Sequence, residues 1–282
     1  DGNEPFAAEI LVSDNKIAQI ARDGVSISAP GAEIVDGNGG TLLPGLIESH
    51  AHVSFLDTDN LEGLGEVPPE EHTLRTMKNA KTFLDQGFTS LNSAAAAKPR
   101  LDIVIRNAIN EGMIPGPRML AASPELTVSG GLGDVRLMHM HRDTFAIVCD
   151  GADEFRRVAR EMVREGVDTL KINPSGDEFV PVARAHQTVM NEAEIAAVCE
   201  VAQSRDKRVA GHCVQIIYHA TLCDEEALDM LEAAKDWVVV APTLGITYAT
   251  MHEAEPWGIT YEVAESLGMP AEWERGIANM LE

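Results

Sequence analysis

Basic residues are scarce in this chain of 282 residues: 22 lysines and arginines stand against 45 aspartates and glutamates, a formal net charge of −23. That surplus repels phosphate backbones and anionic headgroups, so nucleic-acid and membrane-surface roles are set aside. No uninterrupted apolar run approaches the ~20 residues of a membrane helix, and no signal peptide is read at the start. Cysteines are few, at 149, 199, 213 and 223, and none forms a CxxC pair. Their mostly apolar neighbours predict reduced, buried thiols and a cytoplasmic setting. The glycine-rich stretch 129–133 lacks the lysine and Ser/Thr of a phosphate-cradling loop, and no Rossmann glycine fingerprint occurs. A methionine is missing at position 1, and the last residues fall inside a helical pattern over 273–281, so an excerpt of a longer polypeptide is expected.

Apolar residues make up 45% of the chain, ample for a packed core. Residues 1–40 read as a small β-rich module: short strands at 10–12 and 17–20 are joined by the polar turn Ser13-Asp14-Asn15-Lys16, and glycines and Pro30 punctuate residues 24–40. From residue 41 to 282, short apolar runs alternate with amphipathic helices. Strands are expected at 42–53, 88–94, 118–122, 168–173, 208–213, 215–221 and 237–244. Helices are expected near 70–86, 101–111, 153–165, 191–204 and 224–235, with a long glycine-containing loop from 123 to about 151. Asn191 with Glu194 three residues on forms a capping box. Repeating strand–helix units with continuous apolar strands argue for an α/β fold with a parallel sheet, and seven strand candidates point to a (β/α)8 barrel short of its last strand. One link does not fit. Only six residues separate His212 from His219, whereas a parallel crossover takes roughly a dozen or more. The two strands flanking that link are therefore not expected to be parallel neighbours, and a helix-sized segment is read as absent between Cys213 and Val214.

The chemistry concentrates in Leu43-Pro44-Gly45-Leu46-Ile47-Glu48-Ser49-His50-Ala51-His52-Val53. Histidines at i and i+2 on a strand share a face, and at a barrel strand's C-terminal end both can reach one metal ion. Alone, the pair could equally be two satisfied structural histidines. His212 and His219, each ending its own apolar strand, place four imidazoles at one rim, which packing explains poorly. Lys171 sits inside the apolar strand Thr169-Leu170-Lys171-Ile172-Asn173. Burial favours its neutral amine, which reacts with carbon dioxide to give an anionic carbamate. Snorkelling or a carboxylate partner is the plain alternative, and the four histidines tip the reading to the carbamate. Arg136, His139 and His141, in the loop after the third strand, and Tyr218, beside His219, are candidates for holding a substrate carboxylate or an oxyanion. The competing readings are an Arg136 pair with Asp134 or Asp143, and plain packing of Tyr218. His72 and His186 are expected to be solvated, and nothing marks His252 as a ligand.

Val35-Asp36-Gly37, the LPGLI-x-x-HxH stretch, Lys171, His212 and His219 together resemble the amidohydrolase superfamily. Gly211-His212-Cys213, Tyr218-His219-Ala220-Thr221 and Ser129-Gly130-Gly131-Leu132-Gly133-Asp134 resemble its imidazolonepropionase-related branch, which includes metal-dependent Xaa-Pro dipeptidases (prolidases). The resemblance implies a TIM-like barrel with a small N-terminal β-sandwich. It implies two zinc ions held by His50, His52, His212 and His219, bridged by carbamylated Lys171, with a shared hydroxide attacking the scissile carbonyl. It also implies a homo-oligomer and a dipeptide or N-acyl amino acid substrate. The family's strand-eight aspartate has no counterpart in this sequence. The alternatives are an imidazolonepropionase-like cyclic-amide hydrolase with one metal and no carbamate, a carboxypeptidase acting on other dipeptides, and a barrel scaffold without catalysis.

Overall fold

A computed structural model of the chain describes residues 4–55, 61–177, 180, 182–211, 215–221 and 223–281. Two compact units are distinguished, Asp1–Pro44 and Gly45–Glu282. In the first, strands β1 (Ala8–Ser13) and β2 (Lys16–Arg22) pair antiparallel, with Ile10 opposite Ile20 and Val12 opposite Ile17. Asp14 and Asn15 turn the chain with φ of 50° and 64°, the left-handed pair that matches hairpin twist. Val12, Ile17 and Ile20 are exposed. A lone hairpin of two strands gains little stability by itself.

The second unit is a mixed α/β fold built on parallel strands. Strand β3 (Leu46–Ala51) leads to helix α1 (Pro69–Asp85), β4 (Phe88–Ser93), α2 (Leu101–Asn110) and β5 (Arg118–Leu120). There follow β6 (Ala122–Thr127), the short β7 (Ile147–Val148), α3 (Ala152–Glu165), β8 (Thr169–Ile172), α4 (Glu192–Gln203) and β9 (Arg208–Gly211). The chain continues through β10 (Ile216–Tyr218), α5 (Glu225–Ala233), β11 (Val239–Ala241), α6 (Leu244–His252), α7 (Tyr261–Ser266) and α8 (Met269–Leu281). One sheet has the order β3-β4-β5 and the other β11-β10-β9-β8-β6-β7. Only Ala121 separates β5 from β6, and its carbonyl accepts from Asp168 and Thr169 N–H, so the strand run 118–127 carries the order from one sheet into the next. Among the described residues no helix is long and apolar enough to cross a membrane.

Three expectations change. The strand expected over 42–53 begins only at Leu46 and is exposed at first, with Leu46 at 52% and Ile47 at 73%. Pro44 brings no N–H to a ladder, and a Cβ at Gly45 would run into the Thr89 side chain, so the chain enters by close approach to β4. The stretch 123–127, expected as loop, belongs to the strand Ala122–Thr127, buried at every position. Pro124 and Glu125 hide it from a propensity reading, because a proline and a carboxylate are unusual inside a buried strand. Finally, β9 and β10 are parallel neighbours, Ile216 opposite Ala210 and Ile217 opposite Gly211, despite their short link. Cys213 and Val214, where the missing segment was expected, lie outside the described residues.

The core forms where helix and strand patterns meet. Phe155, Val158, Ala159 and Met162 recur at helical spacing on α3 and pack with Leu126, Leu170 and Ile172 from the sheet and Val198 and Val201 from α4. Each such large side chain contributes about 1.5–3 kcal/mol of burial. Asn191 Oδ1 accepts from Glu194 N at 3.1 Å and Glu194 Oε2 accepts from Asn191 N at 2.8 Å, the expected capping box of α4. Cys149 is buried and Cys199 and Cys223 partly so, none of the three forming a disulfide among the described residues; burial pushes the Cys149 thiol up to about 12.

Candidate metal centre

His50 lies within β3, and His52, two residues further along, shares its face. Their Nε2 atoms are 3.1 Å apart. His219 follows β10 directly and takes a φ of 72°, a left-handed conformation unusual for a side chain with a Cβ. Its amide is tied to Ala241 O at 2.9 Å. The His50 ring lies 3.9 Å, centroid to centroid, from the Tyr218 ring and 5.2 Å from the His219 ring. Lys171, 8% exposed on β8, places Nζ 4.6 Å from the Tyr218 centroid. The His50 ring thus meets the rings of His52, Tyr218 and His219, and the Lys171 amine lies against that same buried phenol, the residues coming from β3, β8, β10 and the positions just after β3 and β10.

The protonation states suit cation binding. Burial, then the neighbouring Lys171 and His219, lower His52 to about 3, against a smaller opposing pull from the Ala95 backbone, so its ring is neutral. Thr243 Oγ1 donates to Pro242 O at 2.8 Å and lies 2.6 Å from His219 Nδ1. With Thr243 donating to Pro242, its oxygen would accept from a protonated Nδ1, the tautomer that leaves the Nε2 lone pair for a metal. Two imidazole nitrogens each about 2.0–2.1 Å from one zinc ion would stand about 3–3.5 Å apart, which the His50–His52 spacing meets. Lys171 is pulled below the ordinary lysine range by burial, against an opposing pull from Glu125. The donor set therefore fits a divalent cation. Among the described residues no three His, Cys, Asp or Glu side chains form a cage by themselves. His212, the fourth expected imidazole, lies outside the described residues.

The other candidates sit differently. Arg136 is exposed and held by Asp134, with Nε 2.7 Å from Oδ1 and Nη2 3.0 Å from Oδ2. His139 is exposed, and the solvated His141 ring lies 3.6 Å from Asp143. Tyr218 Oη accepts from Asn92 Nδ2 at 3.1 Å, and burial pushes its phenol up. His72, expected to be solvated, is wholly buried, with Nε2 2.7 Å from Ser54 O; a long-range partner on another element overrides its polar neighbours. His186 is exposed as expected.

Glu125 and Asn92, close to this centre, went unnoticed in the sequence. Glu125 lies opposite Lys171 in the β6–β8 ladder, 6% exposed, with Oε2 buried and unpartnered; burial raises its carboxyl and Lys171 lowers it. Asn92, on β4, spans Ser49 O and Tyr218 Oη. No local spacing announces either.

The profile described as "Amidohydrolase family" matches residues 41–235. A crystal structure described as an amidohydrolase is 28% identical, with a TM-score of 0.81 over 96% of this chain and 70% of that one. A crystal structure of a prolidase complexed with N-methylphosphonate-L-proline is 24% identical, with a TM-score of 0.80 over 95% of this chain and 69% of that one. Ochratoxinase of Aspergillus niger is 22% identical over 261 residues, 80% of this chain and 53% of that protein. The chain spans about half the length of the curated relatives it matches.

Proposed function

The chain belongs to the amidohydrolase family, and from that premise we propose that it is a metal-dependent hydrolase of amide bonds in small molecules, with Xaa-Pro dipeptides as the leading substrate class. One observation carries the reading: the His50 ring meets His52 and His219, and the Tyr218 ring contacts both His50 and the buried Lys171 amine. In this reading His50, His52 and His219, with His212, hold two zinc ions, which would supply Lewis acidity and acidify water. The neutral Lys171 amine adds to carbon dioxide, releases one proton and becomes an anionic oxygen ligand. Tyr218 Oη, accepting from Asn92, keeps its own hydrogen to donate toward a carbonyl oxygen. Arg136, His139 and His141 are the proposed contacts for the dipeptide carboxylate. The parallel strands are read as seven successive strands of a (β/α)8 barrel over 41–282, and residues 1–40 as part of a β-sandwich.

Glu125 favours a second reading. A carboxylate opposite Lys171 pulls toward the ammonium form against the burial that lowers it, and in this reading a one-ion centre without the carbamate suits a cyclic amide. Native mass spectrometry separates the two: the added mass of one carbon dioxide on Lys171 supports the first, and an unmodified lysine in active enzyme the second. A dipeptide library read by amine release, before and after chelation, tests the function itself. Proline-terminated dipeptides cleaved only with metal present are the expected result. His50→Asn and Lys171→Ala are expected to abolish turnover while leaving the circular dichroism spectrum unchanged, and undiminished turnover in either would overturn the assignment.

A further inference from the structure

Immediately beyond His52 the chain is gripped by buried polar groups for which hydrolysis has no direct use. Asp102 lies in the first turn of α2, wholly buried, and accepts a hydrogen bond from the Ser93 hydroxyl at the end of β4. Ser54, two residues past His52 and equally buried, accepts the Ala97 N–H on Oγ at 2.9 Å, and its hydroxyl is near enough to favour the charged form of the same carboxylate. The backbone of this turn is tied from other elements as well. His72 Nε2 donates to Ser54 O at 2.7 Å, Asn79 Nδ2 donates to Val53 O at 3.1 Å, and Ala94 N donates to Ala51 O at 2.7 Å. Residues 51, 53 and 54 are thus each fixed, and His52 is the residue they enclose. The backbone of Ala95, in the segment that Ser54 holds, faces the His52 ring.

A carboxyl in this place is costly. Its Oδ1 is buried without a partner, and an ionisable group in a core loses hydration that only good hydrogen bonds return. The helix N-terminus offsets part of that cost. What the carboxylate supplies here is a charged acceptor, a stronger one than a neutral amide, toward which the Ser93 hydroxyl turns inward, while the Ser54 oxygen faces the Ala97 amide.

We propose that Asp102 is a positioning residue for the candidate metal centre: through Ser54 and Ser93 it fixes the turn after β3 and the 94–97 segment, and so holds the His52 ring in its ligating orientation. This rests on reading His50 and His52 as metal ligands. Partners that orient a ligand typically alter metal affinity by about 10- to 100-fold when removed. The test compares the wild-type chain with Asp102→Asn, Ser54→Ala and Ser54→Thr. Zinc affinity is measured by competition with a chromophoric chelator, and folding by circular dichroism and thermal unfolding of the metal-free proteins. Asp102→Asn and Ser54→Ala are expected to keep their fold and bind zinc about 10- to 100-fold more weakly, while Ser54→Thr, which keeps the hydroxyl, binds close to wild type. Should Asp102→Asn fail to fold, the smaller Ser54→Ala change carries the test. Wild-type affinity in folded Ser54→Ala would reduce the cluster to a packing device and overturn the proposal. A wild-type chain that takes up no zinc would fail earlier, at the metal reading itself.

Discussion

Asp102 has a consequence for stability that can be separated from its effect on metal. Burial raises its carboxyl from 3.8 to about 6, against the two serine hydroxyls that favour the charged form. The folded chain therefore holds this proton more tightly than the unfolded chain does. Stability is highest where both states are protonated and falls as the pH rises from the unfolded value through about 6, by about 3 kcal/mol for a shift of about two pH units. Asp102→Asn has no such titration. Its stability relative to wild type is expected to climb between about pH 4 and about pH 7, read by urea unfolding across that range, and a constant difference would remove the buried charge from the account. At this scale the sequence was informative where the chemistry is local. His50 and His52 announce themselves by a two-residue spacing on a strand, and Lys171 by a charge in an apolar run. Glu125, Asn92 and Asp102 do not, because their meaning comes from partners 40 or more residues away in several cases, such as Ser54 for Asp102 and Tyr218 for Asn92.

Among the elements, α4 shows how one side chain serves two helices. Glu194 closes the capping box of α4 with Oε2 and accepts the Gly151 N–H, at the head of α3, on Oε1 at 2.9 Å. Asn191→Ala removes one cap and is expected to cost about 1 kcal/mol, or roughly 2–4 °C in Tm. Glu194→Ala frees both helix heads and is expected to cost more, and differential scanning calorimetry of the two variants checks the order. The capping box was legible because it is written within four residues. Strand β6 was not, since its buried face carries Ser123, Glu125 and Thr127, an interior lined for chemistry and not for packing. The parallel pairing of β9 with β10 departs from the sequence expectation in a more specific way. Four residues join Gly211 to Ile216 where a crossover takes about a dozen or more. If a helical crossover belongs there, inserting one between Cys213 and Val214 is expected to raise Tm, whereas an insertion that lowers it would argue that the short link is native.

For the molecule as a whole, the net charge of −23 acts on folding and on metal uptake with opposite signs. Self-repulsion among 45 acidic side chains opposes the compact state, and salt screens it over a Debye length of about 10 Å at 0.1 M. Adding a neutral salt is therefore expected to raise the Tm of the metal-free protein. The same field draws divalent cations toward the protein, so the added salt is expected to slow zinc association, read by stopped-flow with a zinc-sensitive dye. In the proposed reading zinc would stabilise the folded chain by mass action, about 2.7 kcal/mol when free zinc is 100 times its Kd. Chelation should lower Tm by an amount that depends on zinc concentration, and it should do so in wild type but not in His50→Asn. Two opposite responses to one salt titration distinguish a field effect from specific ion binding, because an ion bound at a site would shift stability and uptake together. If salt raises Tm and leaves the zinc on-rate untouched, the acidic surface governs folding alone, and capture of the cation rests on His50, His52 and His219 without help from the rest of the chain.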